Sequence, residues 1–208
     1  MEGTPNYITE SQRADFEVIT SMVNENAKVL DLGCGDGSLL KMLCEEKNVD
    51  GLGVEGCQSM ILSAVRNNVN VIHQDLDKGL SEFSDNSFEY VILSRTLQAV
   101  NRPNLLLDEM VRVADKCIVS FVNMGYISAR MQLMFTGKMP VTNTLPYSWY
   151  DTPNIHLGTI HDFIKLCKSK NIKIIESHPI GRINSVLASS FPNLFAQTCV
   201  FMITKDGK

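Results

Sequence analysis

The feature that most constrains this chain is a run of three glycines at alternate positions, between a strand-like and a helix-like segment. Residues 29–32 read V-L-D-L and lead into G-C-G-D-G at 33–37. Apolar residues then recur at helical spacing, which predicts a helix over residues 38–47. Glycines permit a tight turn and close approach of a ligand, and the N–H groups of the following helix point at that ligand. The pattern predicts a nucleotide-binding loop at Gly33, Cys34, Gly35 and Gly37, with a plain strand-to-helix turn as the alternative.

The spacing of these glycines differs from that of a dinucleotide-binding loop. The dinucleotide fingerprint is G-x-G-x-x-G, and its third glycine would fall at position 38, where this chain has Ser38. The third glycine is instead Gly37, and an acid, Asp31, stands two positions before the first glycine. A NAD-dependent dehydrogenase is therefore a distant alternative.

Acidic residues accompany the first three predicted strands at similar intervals. Glu55 ends the strand predicted over residues 49–55, and Asp75 lies near the end of the strand predicted over residues 69–76. Glu55 follows Asp31 by 24 residues and Asp75 follows Glu55 by 20, which suits successive strand–helix–strand units. Ligands bind beyond the carboxyl ends of parallel strands, where an acid after the second strand accepts ribose hydroxyls. For Glu55 the alternative is a helix N-cap or a surface acid.

Strand and helix patterns alternate along the chain and predict an α/β fold in one domain, residues 1–208. Further strands are predicted at residues 88–93, 116–122, 172–176 and 198–203, and further helices at 8–24, 57–68, 159–169 and from Pro103 onward. The link between the last two strands is too short for a crossover with a full helix, so we expect the last strand to be antiparallel. The result is a three-layer αβα sandwich around a seven-stranded, mostly parallel sheet.

Composition narrows the class of protein further. The chain is 44% hydrophobic with a net charge of −4 and has no Lys/Arg run, so we expect no nucleic-acid partner. No apolar run approaches 18 residues, so we expect no membrane partner. Residues 1–16 lack the apolar core of a secretory signal, and we expect a cytoplasmic protein. The six cysteines are scattered without metal-binding spacing, so we expect reduced, non-catalytic thiols and no metal.

Residues 124–158 interrupt the strand–helix alternation after the fifth predicted strand. At most two short helical pieces fit residues 127–135, and three prolines follow among Tyr, Thr and Asn residues. Connections of this length are often lids or binding loops. The segment holds Tyr147, Trp149, Tyr150, Asn154 and His156. We interpret it as a cap on the acceptor side of the site, with a structural loop on the sheet edge as the alternative.

Together these motifs resemble the methionine-biosynthesis protein W (MetW) family, a branch of the class I S-adenosylmethionine (SAM) methyltransferases. The D-x-G-x-G-x-G run at 31–37 is similar to the first methyltransferase motif. Further similar blocks are Q-D-L-D-K-G-L at 74–80, V-I-L-S-R-T-L-Q-A-V at 91–100, K-M-P-V-T at 138–142 and L-P-Y-S-W-Y-D-T-P-N-I-H-L at 145–157. The resemblance covers nearly the whole chain and implies a Rossmann-like methyltransferase sheet with a SAM pocket. Residues 56–57 and 121–127 depart from the family pattern.

The resemblance also implies how SAM or S-adenosyl-L-homocysteine is held. Asp75 accepts from the adenine amino group, and Leu76 packs on the base or donates its backbone N–H to it. Arg13 is a candidate clamp for the carboxylate of the amino-acid moiety, with a solvated surface charge as the alternative. The loop at 94–98 lies over the same crevice. The cofactor-binding residues that we expect are Arg13, Asp31, Gly33, Cys34, Gly35, Gly37, Glu55, Gly56, Asp75, Leu76, Ser94 and Gln98.

Two functions follow from the resemblance. The first is transfer of the SAM methyl group to a small polar acceptor in methionine biosynthesis. Alignment is the main catalytic requirement, and His156 and Tyr150 are the candidate bases if the acceptor must lose a proton. The second is a non-catalytic, SAM-binding accessory partner of homoserine O-acyltransferase. No feature of the sequence separates the two.

Overall fold

A computed structural model describes residues 10–181 and 185–207, with side chains from residue 14 onward and without that of Ser185. Its centre is a seven-stranded sheet in the order β3-β2-β1-β4-β5-β7-β6. The strands are β1 (Lys28–Leu32), β2 (Asp50–Glu55), β3 (Val71–His73), β4 (Phe88–Ser94), β5 (Ala114–Val122), β6 (Ile172–Ile180) and β7 (Thr198–Lys205).

Eight α-helices connect or flank these strands in the described part of the chain. They are α1 (Glu10–Met22), α2 (Ser38–Lys47), α3 (Gln58–Arg66), α4 (Pro103–Val113), α5 (Ile127–Thr136), α6 (Ile160–Ser169), α7 (Ser185–Ser190) and α8 (Pro192–Phe195). A 3₁₀ turn covers Leu76–Lys78. None of these helices reaches the length and apolar content needed to cross a membrane.

The direction of β7 confirms the prediction made from the short final link. β1 to β5 pair in parallel, whereas β7 pairs antiparallel with both β5 and β6. Only the short helices α7 and α8 are described between β6 and β7. They allow the chain to reverse direction without a full-length crossover helix.

Apolar side chains bury both faces of the sheet, which produces the predicted three layers. Alternation along β1 places Leu30 and Leu32 in a cluster with α4 and α6, while Val29 joins a second cluster with α1 and α2. The same alternation places Asp31 on the Val29 face, where it is 1% exposed. A carboxyl group is thus buried at the centre of the sheet.

The third strand was predicted too long. β3 ends at His73 rather than continuing to Asp75, and Asp75 caps the 3₁₀ turn by accepting from the N–H of Asp77 at 3.0 Å. Short acidic side chains compete in this way with strand pairing. After β5 the chain forms one helix, α5, which ends at Gly137 in the left-handed conformation.

Candidate functional site

The glycine loop begins where β1 ends and lies against the neighbouring strands. The N–H groups of Gly33 and Cys34 both donate to the carbonyl of Val54, at 2.8 and 3.1 Å, which ties the loop to β2. Gly33 has a φ of 71°, and a Cβ at this position would lie 2.6 Å from the Thr96 side chain. Only glycine fits this position, because both the backbone conformation and the close contact exclude a side chain.

Gly35 is also in the left-handed region, with a φ of 57°, but an added Cβ there would meet no atom within 4 Å. The middle of the loop therefore faces open space. The N–H of Gly35 donates to Glu55 Oε2 at 2.9 Å, and the N–H of Cys57 donates to Glu55 Oε1 at 2.8 Å. Glu55 thus lies directly beside the loop, as the strand spacing predicted.

Asp31 lies next to this acid with an unpaired oxygen. Its Oδ2 is buried and accepts no hydrogen bond within the described protein. Burial, and secondarily the charge of Glu55, raises the pKa of Asp31 from 3.8 to about 7. A buried acid with a free acceptor and a neighbouring carboxylate favours a positively charged ligand group. The ammonium of an amino-acid moiety fits this chemistry.

A cleft of about 540 Å³ opens at this edge of the sheet. It brings together five of the predicted binding residues, namely Gly33, Glu55, Gly56, Asp75 and Leu76. The cleft is also lined by Asp77, Thr96, Ala99 and Val100. Thr96 belongs to the loop at 94–98 that was predicted to lie over the crevice, whereas Asp77, Ala99 and Val100 were not predicted. Asp77 fixes this part of the lining by accepting from the N–H of Asn101 at 2.8 Å. The Q-D-L-D-K-G-L block already contained Asp77, but its contact spans 24 residues and has no local signal.

Gln98, another predicted binding residue, holds the surrounding backbone together. It is 4% exposed, and its side chain accepts from the N–H of Val122 at 3.0 Å and donates to the carbonyl of His156 at 3.2 Å. Its own carbonyl accepts from the N–H groups of Ile155 and His156 at 2.9 and 3.0 Å. Gln98 therefore connects the loop that lines the cleft with the segment at 155–156.

A buried ion pair adjoins the same loop and was not predicted. Arg95 Nε lies 3.2 Å from Asp15 Oδ2, and the Asp15 side chain is fully buried. Ser120 donates to the same oxygen at 2.8 Å, and Ser94 lies 3.4 Å from Ser120. Burial raises the pKa of Asp15, and Arg95 opposes the rise. The pair fastens α1 to the ends of β4 and β5 across 80 residues of sequence, a separation that no sequence pattern reveals.

The two candidate bases occupy different surroundings. His156 is exposed, with its Nε2 3.3 Å from the carbonyl of Asn101. Tyr150 is 74% exposed, packs edge-on against Trp149, and lines a second groove rather than the cleft at the glycine loop. Both assignments stay predictions.

Arg13, a predicted cofactor-binding residue, lies in α1, but its side chain is outside the described part of the structure.

The six cysteines form no disulfide with one another in the described part of the chain. Cys34 is buried beneath the glycine loop, and burial raises the pKa of its thiol to about 12. The Cys57 thiol is exposed at the start of α3, and a hydrogen bond with Ser59 lowers its pKa. Of these two thiols, that of Cys34 in the glycine loop is therefore the less ionised.

The topology of the sheet and the position of the glycine loop indicate the class of protein. Six strands that run in one direction, an antiparallel seventh strand between β5 and β6, and a glycine loop with acids at the carboxyl edge constitute the class I SAM-dependent methyltransferase fold. The sequence model of the family described as methionine biosynthesis protein MetW matches residues 13–203. The chain belongs to this family, as its motifs predicted.

Known proteins agree with this assignment. The chain is 33% identical over 205 residues to the bifunctional methionine biosynthesis protein MetXA/MetW of Rhodopirellula baltica, covering 93% of this chain and 33% of that one. It thus spans about a third of the length of the curated relative that it matches.

Solved structures share the fold at low identity. A SAM-dependent methyltransferase from Archaeoglobus fulgidus aligns with a TM-score of 0.66 and 17% identity, covering 94% of both chains. One from Mesorhizobium loti aligns with a TM-score of 0.67 and 15% identity, covering 91% of this chain and 97% of that one.

Proposed function

We propose that this protein binds SAM at the glycine loop and acts in methionine biosynthesis by methylating a small polar acceptor. The arrangement that carries the proposal is the buried, unpaired oxygen of Asp31 beside Glu55 and an open Gly35. Glu55 would accept from the ribose hydroxyls, and Asp31 would face the cationic amino-acid moiety. Asp75 and Leu76 would contact the adenine at the far end of the cleft. A role in this pathway fits a cytoplasmic location.

Catalysis in this proposal rests on alignment. Bound SAM supplies an electrophilic methyl group, and the protein must hold the acceptor in line with it. Residues 124–158 would close the acceptor side, because Gln98 ties Ile155 and His156 to the loop that lines the cleft. His156 would receive a proton only if the acceptor loses one. Tyr150 stays a second candidate base, although its groove is separate from the cleft in this conformation.

Calorimetry with Glu55→Ala tests the binding part of the proposal. Removal of this carboxylate leaves two ribose hydroxyls without their acceptor and should weaken SAM binding by about 1.5–3 kcal/mol, the range for charged hydrogen bonds. Glu46→Ala, an exposed acid on α2, is the matched control and should bind SAM like the wild type. Equal affinity of Glu55→Ala and the wild type would exclude Glu55 from the site.

A second candidate function is that of an accessory partner of homoserine O-acyltransferase. It is supported by the MetXA/MetW relative, in which the matching region makes up a third of a bifunctional chain. An accessory protein would use the same SAM site to favour one conformation rather than to transfer a methyl group. Assays with labelled SAM and homoserine-pathway metabolites, with and without the acyltransferase, separate the two. Transfer without the acyltransferase supports the enzyme, and binding of SAM and acyltransferase without transfer supports the accessory role.

A further inference from the structure

Exposed apolar side chains are concentrated in one segment of the described chain. Of 20 large hydrophobic residues with high exposure, 11 lie between Met131 and Leu157. Phe135, Trp149 and Tyr150 are the most exposed of them, at 72%, 74% and 74%. Scattered single residues of this kind are normal, but a concentration marks an interaction site.

Four of these residues line an open groove. It has a volume of about 570 Å³ and continues directly from the end of α5 at Gly137. Its apolar walls are Met139, Val141, Trp149 and Tyr150. The N–H of Val141 donates to Gln132 Oε1 on α5 at 3.1 Å, so the wall is fixed to the helix. We define the docking face as the exposed side of α5 together with this groove.

The docking face is nearly free of charge. Residues 126–158 contain only Arg130, Lys138 and Asp151 as charged side chains, whereas 20% of the whole chain is charged. Cores of protein interfaces are depleted of charge and enriched in Trp, Tyr, Phe and Met. The matching surface of a partner is therefore apolar rather than charged.

We propose that the docking face binds the homoserine O-acyltransferase, an inference that rests on the second candidate function. In the bifunctional relative a region similar to this chain is covalently joined to the rest of a much longer chain. A separate chain that performs the same task needs a surface to replace the covalent link. The docking face supplies one, and its Trp149 and Tyr150 rings pack edge-on with their centroids 5.7 Å apart. Trp and Tyr are enriched among the residues that dominate interface energies.

Binding of the purified full-length chain to the purified acyltransferase of the same organism tests this proposal. Phe135→Ala and Trp149→Ala should each weaken the complex at least tenfold, because buried aromatic anchors dominate interface energies. Leu133→Ala on α5 should weaken it less. Its matched control is Leu62→Ala on α3, whose side chain is 55% exposed compared with 48% for Leu133. Leu62→Ala should bind the acyltransferase within twofold of the wild type, and all four variants should bind SAM normally.

Three results would overturn the proposal. If the wild type binds the acyltransferase and both aromatic variants bind it equally well, the partner is right and the face is wrong. If the wild type does not bind the acyltransferase, the accessory function itself fails. If the wild type forms a dimer that the aromatic variants lose, a second copy of this chain occupies the face instead.

Discussion

At the scale of the residue, Asp31 has an unfavourable position in the free protein. Its carboxyl group is buried in the sheet with one oxygen unpaired, and a second acid stands beside it. Buried acids resist ionisation because the low dielectric penalises the charge. This position destabilises the fold at neutral pH, and in the proposed site it would face the cationic amino-acid moiety of SAM.

The pH dependence of stability tests this view of Asp31. The folded-state pKa is raised from 3.8 to about 7, so the folded state keeps a proton that the unfolded state releases between these values. The free energy of unfolding therefore falls as pH rises through this window, by up to about 4 kcal/mol from this group. The side chain of Asp31→Asn cannot ionise, so the free energy of unfolding of this variant should not fall through this group as pH rises. The stability of the variant relative to the wild type should therefore be greater at pH 8 than at pH 4. Urea unfolding at both pH values measures this, and parallel pH profiles of the two proteins would contradict it.

Gly35 offers a second test at the same scale, with an unusually close control. Gly35 and Gly137 have φ values of 57° and 64°, and at both an added Cβ meets no atom within 4 Å. Alanine should therefore cost each site a similar backbone strain of about 1–2 kcal/mol. Only at Gly35 would the methyl group enter the proposed SAM site. Calorimetry should show at least tenfold weaker SAM binding for Gly35→Ala and unchanged binding for Gly137→Ala.

At the scale of the element, apolar periodicity predicted most helices and strands of the described chain. The helix over residues 38–47 was predicted with its observed bounds, since Leu39, Leu40 and Leu43 form a clear buried face. β3 was predicted too long, because Asp75 caps a 3₁₀ turn through a local hydrogen bond from the N–H of Asp77, which hydrophobic patterns do not encode.

The candidate site likewise has a part that local sequence motifs predicted and a part that they did not. The glycine loop and Glu55 are local motifs at strand ends, and they were predicted. The ion pair of Asp15 and Arg95 and the bridging role of Gln98 depend on contacts between distant segments. Such contacts exist only once the sheet is assembled, so the sequence alone did not reveal them.

Gln98 allows the attachment of the 155–156 segment to be tested. Gln98→Leu leaves the buried N–H of Val122 without its partner, which should cost about 1–3 kcal/mol of stability. It also releases the carbonyl of His156, so amide hydrogen exchange should accelerate at residues 154–158.

Gln132→Leu is the matched control for this prediction. It removes a more exposed side chain that accepts from Val141, so exchange should accelerate near residue 141 only. Unchanged exchange at residues 154–158 in Gln98→Leu would show that the side chain does not anchor this segment.

At the scale of the whole molecule, the sheet order brings several distant loops to one edge. The loops after β1, β2, β3 and β4 all contribute to the cleft that holds Glu55 and Asp75. The docking face lies on the segment that follows β5, and Gln98 connects that segment to the cleft. SAM and a protein partner would thus occupy different surfaces joined by a short path of hydrogen bonds.

Hydrogen exchange with and without saturating SAM tests whether the carboxyl edge of the sheet binds SAM, because it reports on every loop at once. We expect SAM to slow amide exchange in residues 33–37, 55–57 and 74–77 and at 94–100, the loops of the carboxyl edge. Exchange in the groove at 137–150 should not change. Protection confined to other regions, or no protection in the glycine loop while SAM is bound, would contradict the assignment of this edge as the SAM site.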